Sequence, residues 1–383
     1  MAVAAVPDYL GKDFSTASPG LRFGLYLQVW SARFGKETNK VEPLQRAGKL
    51  NDNDKRVMAA LAARQQAGFE AIADSAYTLQ LDTLATAPFT TGLGNAHPLE
   101  NGFAFLNPYG LPYLPGSGVK GILRQAAREL ASGDWGEHAG WSNDVIAALF
   151  GSEDDKRPLR GALTFWDVIP QIKGGSLTVE IMTPHQKHYY QEGKTPHDAG
   201  NPIPLTFLTV PPDSGFTFYV QCNPALLKES APALAANGQW KACLQAAFEH
   251  ALQWLGFGAK TAVGYGAMQE DQGKKSERER RQSEKKEEAR RAALSPEDLA
   301  YEQNRTVIDN FNAVFDAART GTYQPGQEFD SRRNTFIEAA TAWEEPRSRA
   351  EAAALLAETL KWGVSKKGKV RLKEALAMLK GEG

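Results

Sequence analysis

The chain has 383 residues, of which 42% are hydrophobic and 23% charged, and its formal net charge is −1. That length allows two domains, or one large domain with an appendage, and it is enough to bury a sizeable core. A charge so close to zero excludes a bulk polycation, so any nucleic-acid contact must rest on a local track of positive charge.

The first residues, MAVAAVPDYLGKDF, lack a basic region followed by a long apolar run, so no secretory signal is predicted. No stretch approaches the roughly 18 apolar residues of a membrane span. A cytoplasmic protein with no membrane partner is therefore expected. FGLYLQVW at 23–30 reads as a strand, and 52–67 as a helix. Tyr77, Leu79, Leu81 and Leu84 interleave with polar residues, which is the period of a strand. Residues 117–131 read as a helix. Residues 162–169 and 177–182 alternate again around the turn signal Gly174-Gly175. Residues 184–202, rich in Pro, Gly and His, read as a long insertion. Residues 203–210 and 216–222 read as a strand pair across Pro211-Pro212-Asp213-Ser214-Gly215. An amphipathic helix over 240–255 and a short strand over 262–268 close the region. The two cysteines, Cys222 and Cys243, form no CxxC pair, so neither a disulfide framework nor a cysteine zinc site is expected. The order β–α–β–β and then β–α–β predicts an α+β sheet with helices on one face, filling residues 1–270.

Residues 271–294 are almost all charged, and their mixed signs at spacings of three and four predict a solvated helix or linker. Ser295-Pro296-Glu297-Asp298 is a helix start, with a capping residue, a proline at the first position and acids in the first turn. Apolar residues then recur at helical spacing through four segments, with Gly321 as a stop and Trp362 in the third. Residues 295–383 are thus expected to form a small helical module.

Two glycine-rich loops carry the functional reading. In the first, Pro115-Gly116-Ser117-Gly118 leads straight into a helix, where free backbone N–H groups and the helix dipole favour an anion. Lys120, Arg124 and Arg128 follow at i, i+4 and i+8, on one helix face. The spacing is not that of a P-loop, because Gly121 is followed by Ile122, and GxGxxG after a strand is also absent. The second loop contains Gly256, Phe257, Gly258, Lys260, Thr261, Gly264, Tyr265 and Gly266. Ordering four glycines costs about 0.5–1 kcal/mol each against alanine, which is tolerated where backbone must lie close to something. Lys260 and Thr261 supply a cation and a hydroxyl, and Phe257 and Tyr265 are candidates for base stacking. Each loop read alone is equally compatible with an ordinary capped helix or a glycine-rich turn. Neither loop points to a cofactor or a metal.

PGSGVKGILR and GFGAKTAVGYG resemble the helix-opening motif and the C-terminal glycine-rich loop of the RAMP superfamily of CRISPR-associated proteins. PFTTGLGNAHPLENGFAF, the LFG at 149–151 followed by RGALTFWDVIP, and IPLTFLTVPPDSGFTFYV agree in order. The last piece is most similar to the family of sixth subunits of the type III-B Cmr effector complex. The resemblance covers about 77–268 and leaves the tail unexplained. It implies a ferredoxin-like (RRM-type) core with insertions. It also implies a non-catalytic scaffolding role on guide RNA in antiviral defence, with target RNA and other Cmr-type backbone subunits as partners. By that analogy the RNA contacts are Gly116, Ser117, Gly118, Lys120, Arg124, Gly256, Gly258, Lys260, Thr261, Gly264, Tyr265 and Gly266. The RRM aromatic motif is not evident, so backbone and shape should be read rather than base identity.

The competing expectation is a metal-independent endoribonuclease of the RAMP type. His185, His188 and His197-Asp198 share the insertion and can be arranged as general base and partner. Asp82 and Asp167 are further conceivable acids, for which a capping, turn or ion-pair role is the favoured reading.

Overall fold

The structure is a computed structural model. It describes residues 2–31, 33, 35–36, 39–72, 75–135, 139–154, 156, 158–183, 193, 195, 204–236, 238–320, 328–360 and 366–381. The chain divides into two compact units, Met1–Ser276 and Glu277–Gly383.

The first unit contains α1 (Pro19–Gly24), α2 (Val41–Gly48), α3 (Asp52–Glu70), β1 (Thr78–Ala85), β2 (Phe105–Leu106), β3 (Leu111–Pro112), α4 (Gly116–Ser132) and α5 (Asn143–Phe150). There follow β4 (Leu163–Phe165), β5 (Thr178–Met182), β6 (Leu205–Thr209), β7 (Gly215–Cys222), α6 (Pro224–Ser230), α7 (Pro232–Ala236), α8 (Gln239–His250) and β8 (Met268–Glu270). The central sheet has the order β4-β7-β1-β8, with every neighbour antiparallel. The chain runs β1, α4, β4, β7, α8, β8, so each helix joins two parallel strands with a third strand between them. That is the ferredoxin-like α+β arrangement.

Alternation along the strands decides what each face meets. Leu79, Leu81 and Thr83 lie opposite Val220, Phe218 and Phe216 on one face. There Phe218 meets Phe248 of α8 at 5.4 Å and Phe257 at 4.8 Å. α4 adds the stripe Val119, Leu123, Ala126, Ala127 and Leu130, all buried at helical spacing. On the other face Gln80 lies opposite Tyr219, and Asp82 opposite Thr217. This face is also covered, since Phe69 of α3 packs on Tyr219 at 4.8 Å and on Trp166 at 5.6 Å. The expectation of helices on one face alone is corrected accordingly. Burial of Tyr219 under Phe69 also removes the aromatic that an RRM-like sheet would offer to bases.

Several local expectations change. Residues 23–30 are not a strand: Ser18 and Pro19 start α1, the Ser18 hydroxyl accepting from the Leu21 N–H, and only isolated bridges tie Trp30 to Val3 and Lys36. Residues 203–210 and 216–222 do not pair with each other. Pro211 and Pro212 have no N–H and a fixed φ, and the chain turns at Asp213 (φ 61°) so that β7 joins β1 while β6 pairs with β5. Residues 162–169 and 177–182 also go to different sheets, β4 pairing with β7 and β5 with β6. The strand expected over 262–268 shrinks to β8, because Thr261–Val263 is a 3₁₀ turn and Gly264 and Gly266 have φ of 93° and 71°.

α9 (Gln272–Ala292) buries no residue and is laced by pairs such as Arg291–Glu287 at 2.9 Å and Arg280–Glu284 at 3.8 Å. α10 (Pro296–Arg319), α11 (Glu328–Thr341), α12 (Pro346–Thr359) and α13 (Lys366–Lys380) form the second unit's own core around Phe311, Phe315, Phe329, Phe336, Leu356 and Leu372. Ser295 caps α10, its hydroxyl accepting from the Asp298 N–H at 3.1 Å. Gly321 and Trp362 lie outside the described residues. Among the described residues no helix is long and apolar enough to cross a membrane.

Candidate nucleic-acid interface

The first loop is held by a backbone bridge between Leu114 and Val168, with both N–H···O distances 2.8 Å. Gly116 opens α4 against the end of β4, where a Cβ would lie 2.3 Å from the Phe165 carbonyl oxygen. Its N–H donates to the Asp167 carboxylate at 2.7 Å. The N–H groups of Gly118 and Val119 donate back to the Pro115 carbonyl at 2.9 and 3.1 Å. The anion position at the helix start is thus filled by the protein's own carboxylate, which also offsets the helix dipole. What remains open is the exposed Ser117 hydroxyl and the side chain of Lys120.

The three cations on this helix face are not equivalent. Arg124 donates to the Gly151 carbonyl at 2.6 Å and pairs with Glu153 at 3.2 Å, pinning the end of α5. Arg128 pairs with the same carboxylate. Lys120 is half-buried and has no carboxylate partner among the described residues. Burial, with the neighbouring Arg124 guanidinium second, holds its ammonium below the ordinary lysine range.

The second loop is docked on the segment that follows β1. Phe257 N–H donates to Gly266 O at 2.9 Å, Gly266 N–H to Pro88 O at 2.8 Å, and Ala259 N–H to Thr90 O at 2.8 Å. A Cβ on Gly266 would lie 1.8 Å from the Phe257 carbonyl oxygen, and one on Gly258 would lie 2.4 Å from that of Thr90. The close approach that these glycines permit is therefore made by the chain's own backbone. Gly256 has a φ of 69°, with its nearest neighbours in Gly266, Thr261 and Tyr265. Gly264, with φ 93°, faces open space. Phe257 is fully buried in the core, so the expectation that it stacks on a base is corrected.

Lys260 takes a left-handed backbone with φ 60°, and its carbonyl accepts from Val263 and Tyr265 at 3.2 and 3.3 Å. Its ammonium sits 3.0 Å from the Met182 sulfur and 5.5 Å from the centre of the Phe207 ring. Tyr265 packs against Phe207 at 5.6 Å and donates a long bond of 3.5 Å to Glu180. Burial, then the Glu180 charge, pushes its phenol up. Thr261 is half-buried beside Gly256. The β5–β6 ribbon thus frames this loop through Glu180, Met182 and Phe207. The alternation in 178–182 carried that signal, since it puts Glu180 and Met182 on one side of a strand. Asp167 caps the first loop, which is the capping role favoured for it from the sequence.

β1 and β4 are parallel. The second loop lies at the end of β1 and the first at the end of β4. Both loops therefore lie toward the same end of the sheet. β4 and β8 are the two edges, roughly 14 Å apart at the usual strand spacing.

His185, His188, His197 and Asp198 lie outside the described residues, as does most of the insertion. Among the described histidines, His97 contacts the Phe23 carbonyl through Nε2 at 3.0 Å and accepts from the Leu99 N–H at 3.2 Å. His250 pairs with Glu129 at 2.6 Å. Asp82 is buried and accepts from the Thr217 hydroxyl at 2.8 Å. No group of residues suited to hold a metal ion occurs among the described residues.

Comparison with known proteins adds to this geometry. The CRISPR system Cmr subunit Cmr6 of Pyrococcus furiosus is 27% identical over 257 aligned positions, covering 51% of this chain and 71% of the relative. The crystal structure of that Cmr6 matches at 25% identity over 51% of this chain and 98% of its own, with a TM-score of 0.31. A chain in the cryo-EM structure of the type III-B Cmr-beta complex bound to cognate target RNA matches at 21% identity over 61% of this chain and 70% of its own, with a TM-score of 0.39. Residues 84–269, which carry both glycine loops and two of the four strands of the central sheet in full, match the RAMP superfamily.

Proposed function

We propose that this chain is a subunit of a type III CRISPR ribonucleoprotein effector complex that binds guide RNA along its backbone. In this reading its role is scaffolding rather than catalysis, its partners are guide RNA, target RNA and other Cmr-type backbone subunits, and it acts in the cytoplasm. The observation that carries the reading is the pair Lys120 and Lys260. Both sit in the RAMP-matched segment, toward one end of the sheet, and neither has a carboxylate partner among the described residues. Arg124 and Arg128 on the same helix are instead paired with Glu153. Two cations on separate loops with a hydroxyl near each, Ser117 and Thr261, suit separate phosphates of one strand better than one compact nucleotide. The similarity to a Cmr subunit supplies the system.

The experiment is photocrosslinking of the full chain to single-stranded RNA carrying 4-thiouridine, followed by peptide mapping. Cross-links are expected in the peptides around Ser117–Lys120 and Lys260–Tyr265, with the RNA uncut after prolonged incubation. Cross-links confined to other surfaces would overturn the loop assignment, and discrete cleavage products would overturn the non-catalytic role.

A further inference from the structure

Outside the RAMP-matched segment, α1, α2 and the chain around residues 12–28 line a half-open cavity of about 330 Å³. That is within the range of small-molecule sites. Four cations line it, Lys12, Arg22, Arg46 and Lys49, against one carboxylate, Asp13. Arg46 is paired with Glu42 at 2.8 Å, and Arg22 with Asp54 at 3.5 Å. Lys12 and Lys49 have no carboxylate partner among the described residues. Asp13 is turned to its own backbone, accepting from the Ser15 N–H at 2.9 Å. The cavity therefore carries an uncompensated positive charge.

Arg22 gives the wall its fixed part. It is 8% exposed, donates to the Arg46 carbonyl at 2.9 Å and to the Lys49 carbonyl, and its Nε has no partner. A buried guanidinium left incompletely satisfied is costly and is rarely kept without a use. The two carbonyls it holds fix the backbone of Arg46 and Lys49 at the cavity edge. The other side of the wall is aromatic, with Phe14 and Tyr26 stacked at 4.4 Å and 6°. Gln28 is anchored through its amide nitrogen to the Lys12 carbonyl at 2.9 Å, which leaves its side-chain oxygen free to accept.

Cations select an anion, an extended aromatic stack selects a flat ring, and an amide oxygen suits an exocyclic amine. We infer that this cavity binds a nucleoside monophosphate unit, its base against the Phe14–Tyr26 stack and its phosphate between Lys12, Lys49 and Arg46. The unit is either a free nucleotide or one residue of an RNA strand. The site is independent of Lys120 and Lys260, so the two assignments fail separately.

The test is calorimetric titration of the full chain with adenosine 5′-monophosphate, adenosine and inorganic phosphate. Lys12 and Lys49 are exposed, so their replacement leaves the core intact. AMP is expected to bind about tenfold or more tighter than either fragment, and Lys12→Ala with Lys49→Ala to weaken it by about tenfold. Phe14→Ala is expected to weaken AMP and leave phosphate unchanged. Competition of AMP with a single-stranded RNA identifies the strand as the source, and AMP binding without competition identifies a free nucleotide. Failure of the wild-type chain to bind AMP, equal affinity for adenosine, or unchanged AMP affinity in the lysine variant would each overturn the inference.

Discussion

Replacing Gly266 by alanine places a Cβ 1.8 Å from the Phe257 carbonyl oxygen, in a backbone with φ 71°. Left-handed backbone costs an L-residue about 1–2 kcal/mol. Relieving the clash also breaks the bonds Phe257 N–H to Gly266 O and Gly266 N–H to Pro88 O, 2.9 and 2.8 Å long. Each is worth about 0.5–1.5 kcal/mol net. The sum is a loss of about 2–5 kcal/mol. Gly264→Ala faces open space at φ 93°, so it is expected to cost only the backbone strain, about 1–2 kcal/mol. Gly121→Ala, exposed within α4 with nothing near its added Cβ, should stabilise by about 1 kcal/mol. The assay is amide hydrogen exchange at β1 and β7, which reports the first unit alone, with RNA affinity measured in parallel. Equal costs at Gly264 and Gly266, or a neutral Gly266→Ala, would refute the claim that these glycines are set by the chain's own packing.

Asp167→Ala removes the carboxylate that caps Gly116 and is expected to destabilise the first unit by about 0.5–2 kcal/mol in urea unfolding. The same change exposes the start of α4 and should strengthen binding of single-stranded RNA; weaker binding would contradict the view that Asp167 occupies an anion position. In the second unit, burial pushes the Glu345 carboxyl up, but hydrogen bonds from the Arg347 side chain, the Ser348 hydroxyl and their backbone N–H groups outweigh it and hold the carboxyl at about 2. A depressed folded-state value contributes stability above the ordinary glutamate range, lost as pH falls toward about 2. Acid titration followed by helical circular dichroism should therefore show the second unit weakening over that window, and Glu345→Gln should flatten the dependence.

Much of this architecture was legible because burial writes a period into the sequence. Leu79 and Leu81 marked β1, and the span 117–131 read as a helix is α4, on which Val119, Leu123 and Leu130 are buried. Pairing was less legible, since the alternation of 203–210 is the same whether the strand meets β5 or β7, and only the Pro211-Pro212 turn decides. The helix start at Ser18-Pro19 was hidden by the apolar run after it. In the loops, the glycines and lysines were visible, but what surrounds them was not. Asp167 lies 51 residues from the N–H it caps, and Glu153 lies 29 and 25 residues from the two arginines it engages. A local pattern therefore cannot separate Lys120, which is open, from Arg124, which is taken.

The most direct measurement of the central claim is the salt dependence of single-stranded RNA binding by the full chain, wild type against Lys120→Ala with Lys260→Ala. Each phosphate contact on a single strand contributes roughly 0.7 to the slope of log affinity against log salt. The double variant should lose roughly 1.4 from that slope and bind more weakly across RNA sequences alike. An unchanged slope with unchanged affinity would contradict the assignment of these two lysines to the RNA backbone.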